Sequence, residues 1–199
     1  ILIHAGDWSN RGEEETVLDL FNWFGEQPCK DVVCIAGNHD FWPDESPISF
    51  KRDVLEGSSN KIHYLQAGST LSPGTCTVQG LKFFGSPCTP WFHSWAFNFP
   101  EVDSFQETAA KHWDLIPDDT DIVITHGPPH NILDQTDEGL NVGSAPLASR
   151  LRDVKPKMHV FGHIHEGYGG RVINNTYYIN ASMHTRKMNP TNPPVIVDL

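Results

Sequence analysis

Residues 32–40 read Val32-Val33-Cys34-Ile35-Ala36-Gly37-Asn38-His39-Asp40. A short continuous run of β-branched and apolar residues stops at a glycine, and polar side chains follow at once. Such a run reads as a strand buried on both faces, because a strand with one wet face alternates apolar with polar residues. The same design occurs three more times. The runs are Ile1-Leu2-Ile3-His4-Ala5-Gly6-Asp7, Ile122-Val123-Ile124-Thr125-His126-Gly127 and Met158-His159-Val160-Phe161-Gly162-His163-Ile164-His165. Each sets metal-capable side chains just past the carboxyl end of a strand. Open α/β sheets gather their ligands in that crevice.

Helices are expected between these strands. Glu13 to Phe24 carries Val17, Leu20, Phe21 and Phe24 at helical spacing, with three glutamates in the first turn to suit the helix dipole. Ser104 with Glu107 is a capping-box pattern for a short helix through Trp113. Leu147, Leu151 and Val154 give another, stopped by Pro156. Hairpins are predicted for Thr75 to Gln79 with Leu81 to Phe84, and for Arg171 to Ile173 with Thr176 to Ile179. Val195 to Asp198 reads as a last strand, and Phe41 to Asn60 and Thr136 to Pro146 as loops. No linker divides the chain, so residues 1–199 are expected to form one α/β domain.

Composition bounds the function. The 199 residues hold 14 Lys plus Arg against 25 Asp plus Glu, a formal charge of −11, with 11 His. That balance speaks against a protein that grips long nucleic acid or an anionic membrane, since both need a basic surface. No apolar run approaches a membrane span. The four cysteines form no C-x-x-C pair, so a reduced, cytoplasmic setting is the expectation. There is no G-x-S-x-G elbow and no phosphate loop of the G-x-x-x-x-G-K type. The chain opens in an apolar run, not in Met, and a segment upstream of Ile1 is expected. Composition leaves the oligomeric state open.

The donors at the strand ends are chemically mixed. Asp7 offers an anionic oxygen able to bridge two cations, Asn38 a neutral carbonyl oxygen, and His126, His163 and His165 imidazole nitrogens. This set suits Mn, Fe or Zn better than Ca or Mg, and the lack of a nearby thiolate argues against a structural zinc. His163 and His165, two apart, serve adjacent metals if the turn splays them. Two divalent ions suit phosphoester hydrolysis because they clamp the attacking and leaving oxygens of an in-line displacement. Taken singly, each residue also has a plain reading: Asp7 as a turn residue, His126 as part of a loop, the His163/His165 pair as surface. Four motifs in order outweigh those readings.

G-D-W-S-N-R-G, G-N-H-D, T-H-G-P-P and G-H-I-H resemble, in order, four motifs of the calcineurin-like metallophosphoesterase superfamily. F-G-H-I-H-E-G-Y-G, Y-I-N-A-S, N-P-T-N-P-P and S-P-C-T-P-W-F are similar to its branch of metallophosphoesterase domain-containing proteins. The resemblance implies a four-layer α/β/β/α sandwich with two mixed sheets, here apparently lacking the first strand. It implies two divalent metal ions, with Asp7 bridging both, Asn38, His126 and His163 on one, and His165 on the other. It implies that His39 is no ligand but touches phosphate and protonates the leaving oxygen, a role imidazole suits near neutral pH. A metal-bridging hydroxide would be the nucleophile.

The sequence departs from that pattern in two places. No Asp-x-His precedes Asp7, so the first metal keeps only Asp7 and His165 within this chain. Protein phosphatases of the superfamily carry an acidic residue, in a G-D-x-x-D-R-G context, that pairs with the general acid; Asn10 holds that place here. The second departure favours a diesterase, and the resemblance to that branch implies a phosphodiesterase acting on small diesters such as cyclic nucleotides. The alternatives are a phosphomonoesterase or protein phosphatase, and a non-catalytic scaffold of the same fold. Arg11, Asn38, His184 and Trp91 are candidate substrate contacts. Trp91 belongs to an aromatic cluster with Phe92, Trp95, Phe97 and Phe99, read first as packing under a loop and second as a stacking surface for a base.

Overall fold

A computed structural model describes residues 1–99 and 105–199. The capping residue expected at Ser104 lies outside the described residues, although the helix it would open, Phe105–Trp113, is present.

Three of the strands form a parallel sheet in the order β1 (Leu2–Ala5), β2 (Val32–Ile35), β3 (Ile62–Tyr64). The other six form a mixed sheet. Its members are β4 (Thr75–Val78), β5 (Leu81–Ser86), β6 (Ile122–Thr125), β7 (Met158–Phe161), β8 (Gly169–Ile173) and β9 (Thr176–Asn180). They run in the order β4-β5-β6-β7-β9-β8. The smaller sheet is thus parallel throughout, where two mixed sheets were expected. Its strands are joined by helical crossovers, which return the chain to the same end of the sheet each time. Within the two sheets, antiparallel pairing among the described residues is confined to the hairpins β4/β5 and β8/β9. The turn of the second is Asn174-Asn175, both at positive φ (49° and 67°), a conformation asparagine tolerates.

The runs of β2, β6 and β7 are buried for the reason the sequence suggested, with apolar material on both faces, whereas β1, at the edge of its sheet, is only half-buried. Val32 and Cys34 point to a layer of helices, where α1 (Glu14–Glu26) contributes Val17, Phe21 and Phe24. Val33 and Ile35 point the other way, onto Phe83, Ile122, Ile124, Met158 and Val160 of the second sheet. The outer face of that sheet, with Val123 and Phe161, is covered by α4 (Phe105–Trp113) and α5 (Ala145–Val154), through Ala109, Trp113, Leu147 and Leu151. The result is the expected α/β/β/α sandwich. α5 begins at Ser144, whose side chain accepts the Leu147 amide, and ends at Lys155 in the left-handed region just before Pro156.

Two further expectations are corrected. The segment expected to be a loop from Phe41 holds α2 (Phe41–Glu45), α3 (Pro47–Phe50) and a π turn at Lys51–Leu55. Pro47 sits where a helix start tolerates proline, and Trp42, Phe50 and Val54 bury themselves against α1, so tertiary packing supplies what local propensity did not. Val195 to Asp198 forms no strand; Val195 and Val197 still pack against the core between the sheets. No helix among the described residues is long and apolar enough to cross a membrane.

Candidate metal centre

Two sheets deliver the site. Asp7 follows β1 and Asn38 follows β2 in the smaller sheet; His126 follows β6 and His163 follows β7 in the larger. One ligand atom from each of Asp7, His126 and His163 lies within 4.8 Å of the others. Asn38 Oδ1 stands 2.8 Å from His126 Nε2 and 2.9 Å from His163 Nδ1, and Asp7 Oδ1 stands 3.3 Å from His126 Nε2. His126 Nδ1 donates to the Ala5 carbonyl at 2.8 Å. With a cation in place the proton would stay on Nδ1 and Nε2 would present its lone pair, the pattern seen in metal-ligating histidines.

The residues fit a divalent ion. Asn38 Oδ1, Asp7 Oδ1 and two imidazole nitrogens converge with few protons to share, and a cation among them satisfies all four. The space is also kept clear. A Cβ on Gly37 would fall on Asp7 Oδ1 and lie 2.6 Å from His126 Cε1, so only glycine fits beneath the donors. Asp7 and His163 both adopt positive φ, 61° and 68°. That conformation costs a residue with a Cβ about 1–2 kcal/mol. Two donors held so are a mark of a site that sets its own geometry.

The electrostatics agree with close packing of unlike charges. Burial would raise the Asp7 carboxyl, but the charge and hydrogen bond of His126 and the amide of His39 more than offset it and hold it below the usual carboxylate range. Burial likewise opposes the charge on His126, yet Asp7 and the Ala5 carbonyl keep that imidazole above its ordinary value. Burial, with His126 adjoining, pushes His163 down to about 3.

His39 stands apart from the donors. Its amide donates to Asp7 Oδ1 at 3.1 Å, while its Nδ1 donates to the main-chain carbonyl of Asn10 at 2.8 Å. Its Nε2 has no hydrogen-bond partner among the described residues. His165 is not in the cluster: the turn splays it away, and its Nδ1 lies 3.3 Å from the Thr185 carbonyl. His184, exposed, faces His165 with ring centroids 6.4 Å apart. Arg11 is exposed, its guanidinium 5.7 Å from the centre of the Trp95 ring. Trp91 is 43% exposed and makes no ring contact with the donors among the described residues. The aromatic segment divides: Phe97 and Phe99 are buried, Trp91 and Phe92 are exposed, and Trp95 lies between.

Sequence reasoning passed over Asp40. This fully buried carboxylate accepts the amides of Asp7 (2.9 Å), Trp8 (2.8 Å), Ser9 (3.2 Å) and Gly37 (2.7 Å), and the Ser9 hydroxyl (3.1 Å). Burial and the charge of Asp7 push it up to about 7, against the pull of those amides. It closes the G-N-H-D motif, and an acid directly after an apolar strand end was the available signal.

Fold and site together define a class: an α/β/β/α sandwich with a cluster of nitrogen and oxygen donors, fit for a metal, where the two sheets meet. The chain belongs to the calcineurin-like phosphoesterase family, whose model matches residues 1–167. Over its whole length it is 36% identical to metallophosphoesterase domain-containing protein 1 of Homo sapiens and of Mus musculus, of which it spans 64%. A solved crystal structure at 23% identity superposes with a TM-score of 0.55, over 84% of this chain and 63% of that one, and shares the fold.

Proposed function

We propose that the protein is a metal-dependent phosphodiesterase for small diesters, cyclic nucleotides among them. The observation that carries the reading is the approach of Asn38 Oδ1 to His126 Nε2 and His163 Nδ1 beside Asp7 Oδ1. Asp7, Asn38, His126 and His163 would hold one divalent ion, and Asp7 with His165 would contribute to a second. Ions of the Mn, Fe or Zn type supply charge neutralisation for the phosphoryl oxygens and activation of water when bound. Water adds to phosphorus and one P–O bond breaks, leaving a phosphomonoester and a freed hydroxyl, both on one molecule when the diester is cyclic. His39 Nε2–H donates the proton that the leaving oxygen takes up, and the ring regains one from solvent.

A diester preference is supported by what holds His39. The Asn10 main-chain carbonyl orients the ring. A neutral partner suits a reaction in which the substrate carries a single negative charge, and Arg11 is placed beside the same ring system to meet it.

Turnover of cyclic AMP by the Mn-loaded protein tests this, with metal content measured in parallel. His39→Ala should lose about 10²–10⁴-fold in turnover and keep its metal. Normal turnover by that variant, or loss of its metal, would overturn the role. Faster hydrolysis of an aryl monoester than of the matching diester would favour a monoesterase, and a chain that binds metal yet hydrolyses neither would favour a scaffold.

A further inference from the structure

Trp95 lies in the aromatic segment that sequence reasoning assigned first to packing. Its ring centroid is 4.3 Å from that of His39, with the planes tilted by 43°. Phe41 supports the indole at 5.9 Å, and the Arg11 guanidinium sits over it. The backbone immediately after it is anchored. The Ala96 amide donates to the Asn38 carbonyl at 3.1 Å, and the Phe97 amide donates to Asp44 Oδ2 at 3.2 Å. The loop carrying Trp95 is therefore tied to the loop that carries Asn38 and His39, so the indole cannot drift independently of the imidazole.

A single hydrogen bond does not orient a ring. The Asn10 carbonyl fixes Nδ1 of His39 but leaves the ring free to swing about that contact. An aromatic face at 4.3 Å removes the remaining freedom, and Nε2 then keeps one direction. We propose that Trp95 is a positioning residue that, with the Asn10 carbonyl, holds the His39 ring so that Nε2 meets the leaving oxygen. The inference rests on the reading of His39 as proton donor and adds how the donor is aimed.

The test is a double-mutant cycle with cyclic AMP on the Mn-loaded protein, joined to a readout that needs no turnover. Trp95→Ala should lower kcat by about tenfold or more, a part of the general-acid contribution, with little change in KM. Trp95→Phe, which keeps a flat face, should recover most of it. In a His39→Ala background, Trp95→Ala should cost nothing further, because a residue that acts only through His39 has nothing left to position. In proton spectra the His39 ring signals should lie upfield from the indole ring current, remain so in Trp95→Phe and move in Trp95→Ala. Equal loss from Trp95→Ala in both backgrounds, or His39 signals unmoved by that substitution, would overturn the proposal. Full turnover by His39→Ala would instead remove the proton-donor reading on which it stands, a separate outcome.

Discussion

Asp40 Oδ2 accepts the main-chain amide of Asp7 at 2.9 Å, so one acid sets the direction of the other. Asp7 would otherwise sit at the end of an edge strand whose residues are only half-buried, in a left-handed conformation it must be held in. The same carboxylate takes the Gly37 amide, and it thereby joins the loops after β1 and β2. Asp40→Ala leaves four buried or half-buried amides without an acceptor. Destabilisation on the order of 3 kcal/mol or more is expected, with metal content reduced. Thermal melts and elemental analysis check both, and an unchanged melting temperature would refute it.

His163→Ala removes one of the four donors that converge. Its metal content should fall, while the apolar core between the sheets is untouched. Elemental analysis after gel filtration measures the loss, and circular dichroism verifies the fold. Wild-type stoichiometry in the variant would show that His163 is no ligand.

Gly37→Ala is the smallest possible insult to the site. The added methyl would collide with Asp7 and with the His126 ring. Overpacking of this kind costs typically about 1–3 kcal/mol. Displaced donors should weaken metal binding more than the fold, so calorimetric metal titration is the sensitive measurement. Wild-type affinity would show that the donors can retreat.

Acid should destabilise the protein through two histidines remote from the site. Burial pushes His159 down to about 3 and His112 down to about 4. His159 donates from Nε2 to the Thr125 hydroxyl at 2.8 Å, and Ser86 Oγ lies 2.7 Å from His112 Nε2, so both rings are held neutral. The unfolded chain takes up protons near the ordinary histidine value of 6.5, the folded chain only at about 3 to 4. Their contribution is whole above pH 6.5 and is lost as pH falls below it, at up to about 1.4 kcal/mol per pH unit for each group. Unfolding free energies between pH 7 and pH 4 should slope accordingly. His112→Gln should flatten the slope; an identical slope would exclude His112.

The strands were legible because they are continuous apolar runs, and Val32 to Ile35 could hardly be anything else; the four-layer sandwich followed from the family resemblance alone. Asp7, Asn38, His126 and His163 were legible because each follows such a run, and the strand ends bring them together. The helices from Phe41 onward were not, since Trp42, Phe50 and Val54 show no clean period and fold only against α1. Nor was the work of Asn10 readable, because it is done by a carbonyl that every residue possesses. Trp95 was one aromatic among five; only a distance to His39 separates it from its neighbours.

Among the described residues no hydrogen-bonded ladder joins the two sheets, yet the four donors come two from each. A cation among them would consequently be a clasp across the layer boundary. Its binding free energy is then drawn into the cohesion of the whole sandwich, about 2.7 kcal/mol at a hundredfold excess over its dissociation constant. Depletion of metal should loosen the molecule along the seam between layers. Amide exchange would quicken on β1 and β2 together with β6 and β7, and the outer helices would follow later.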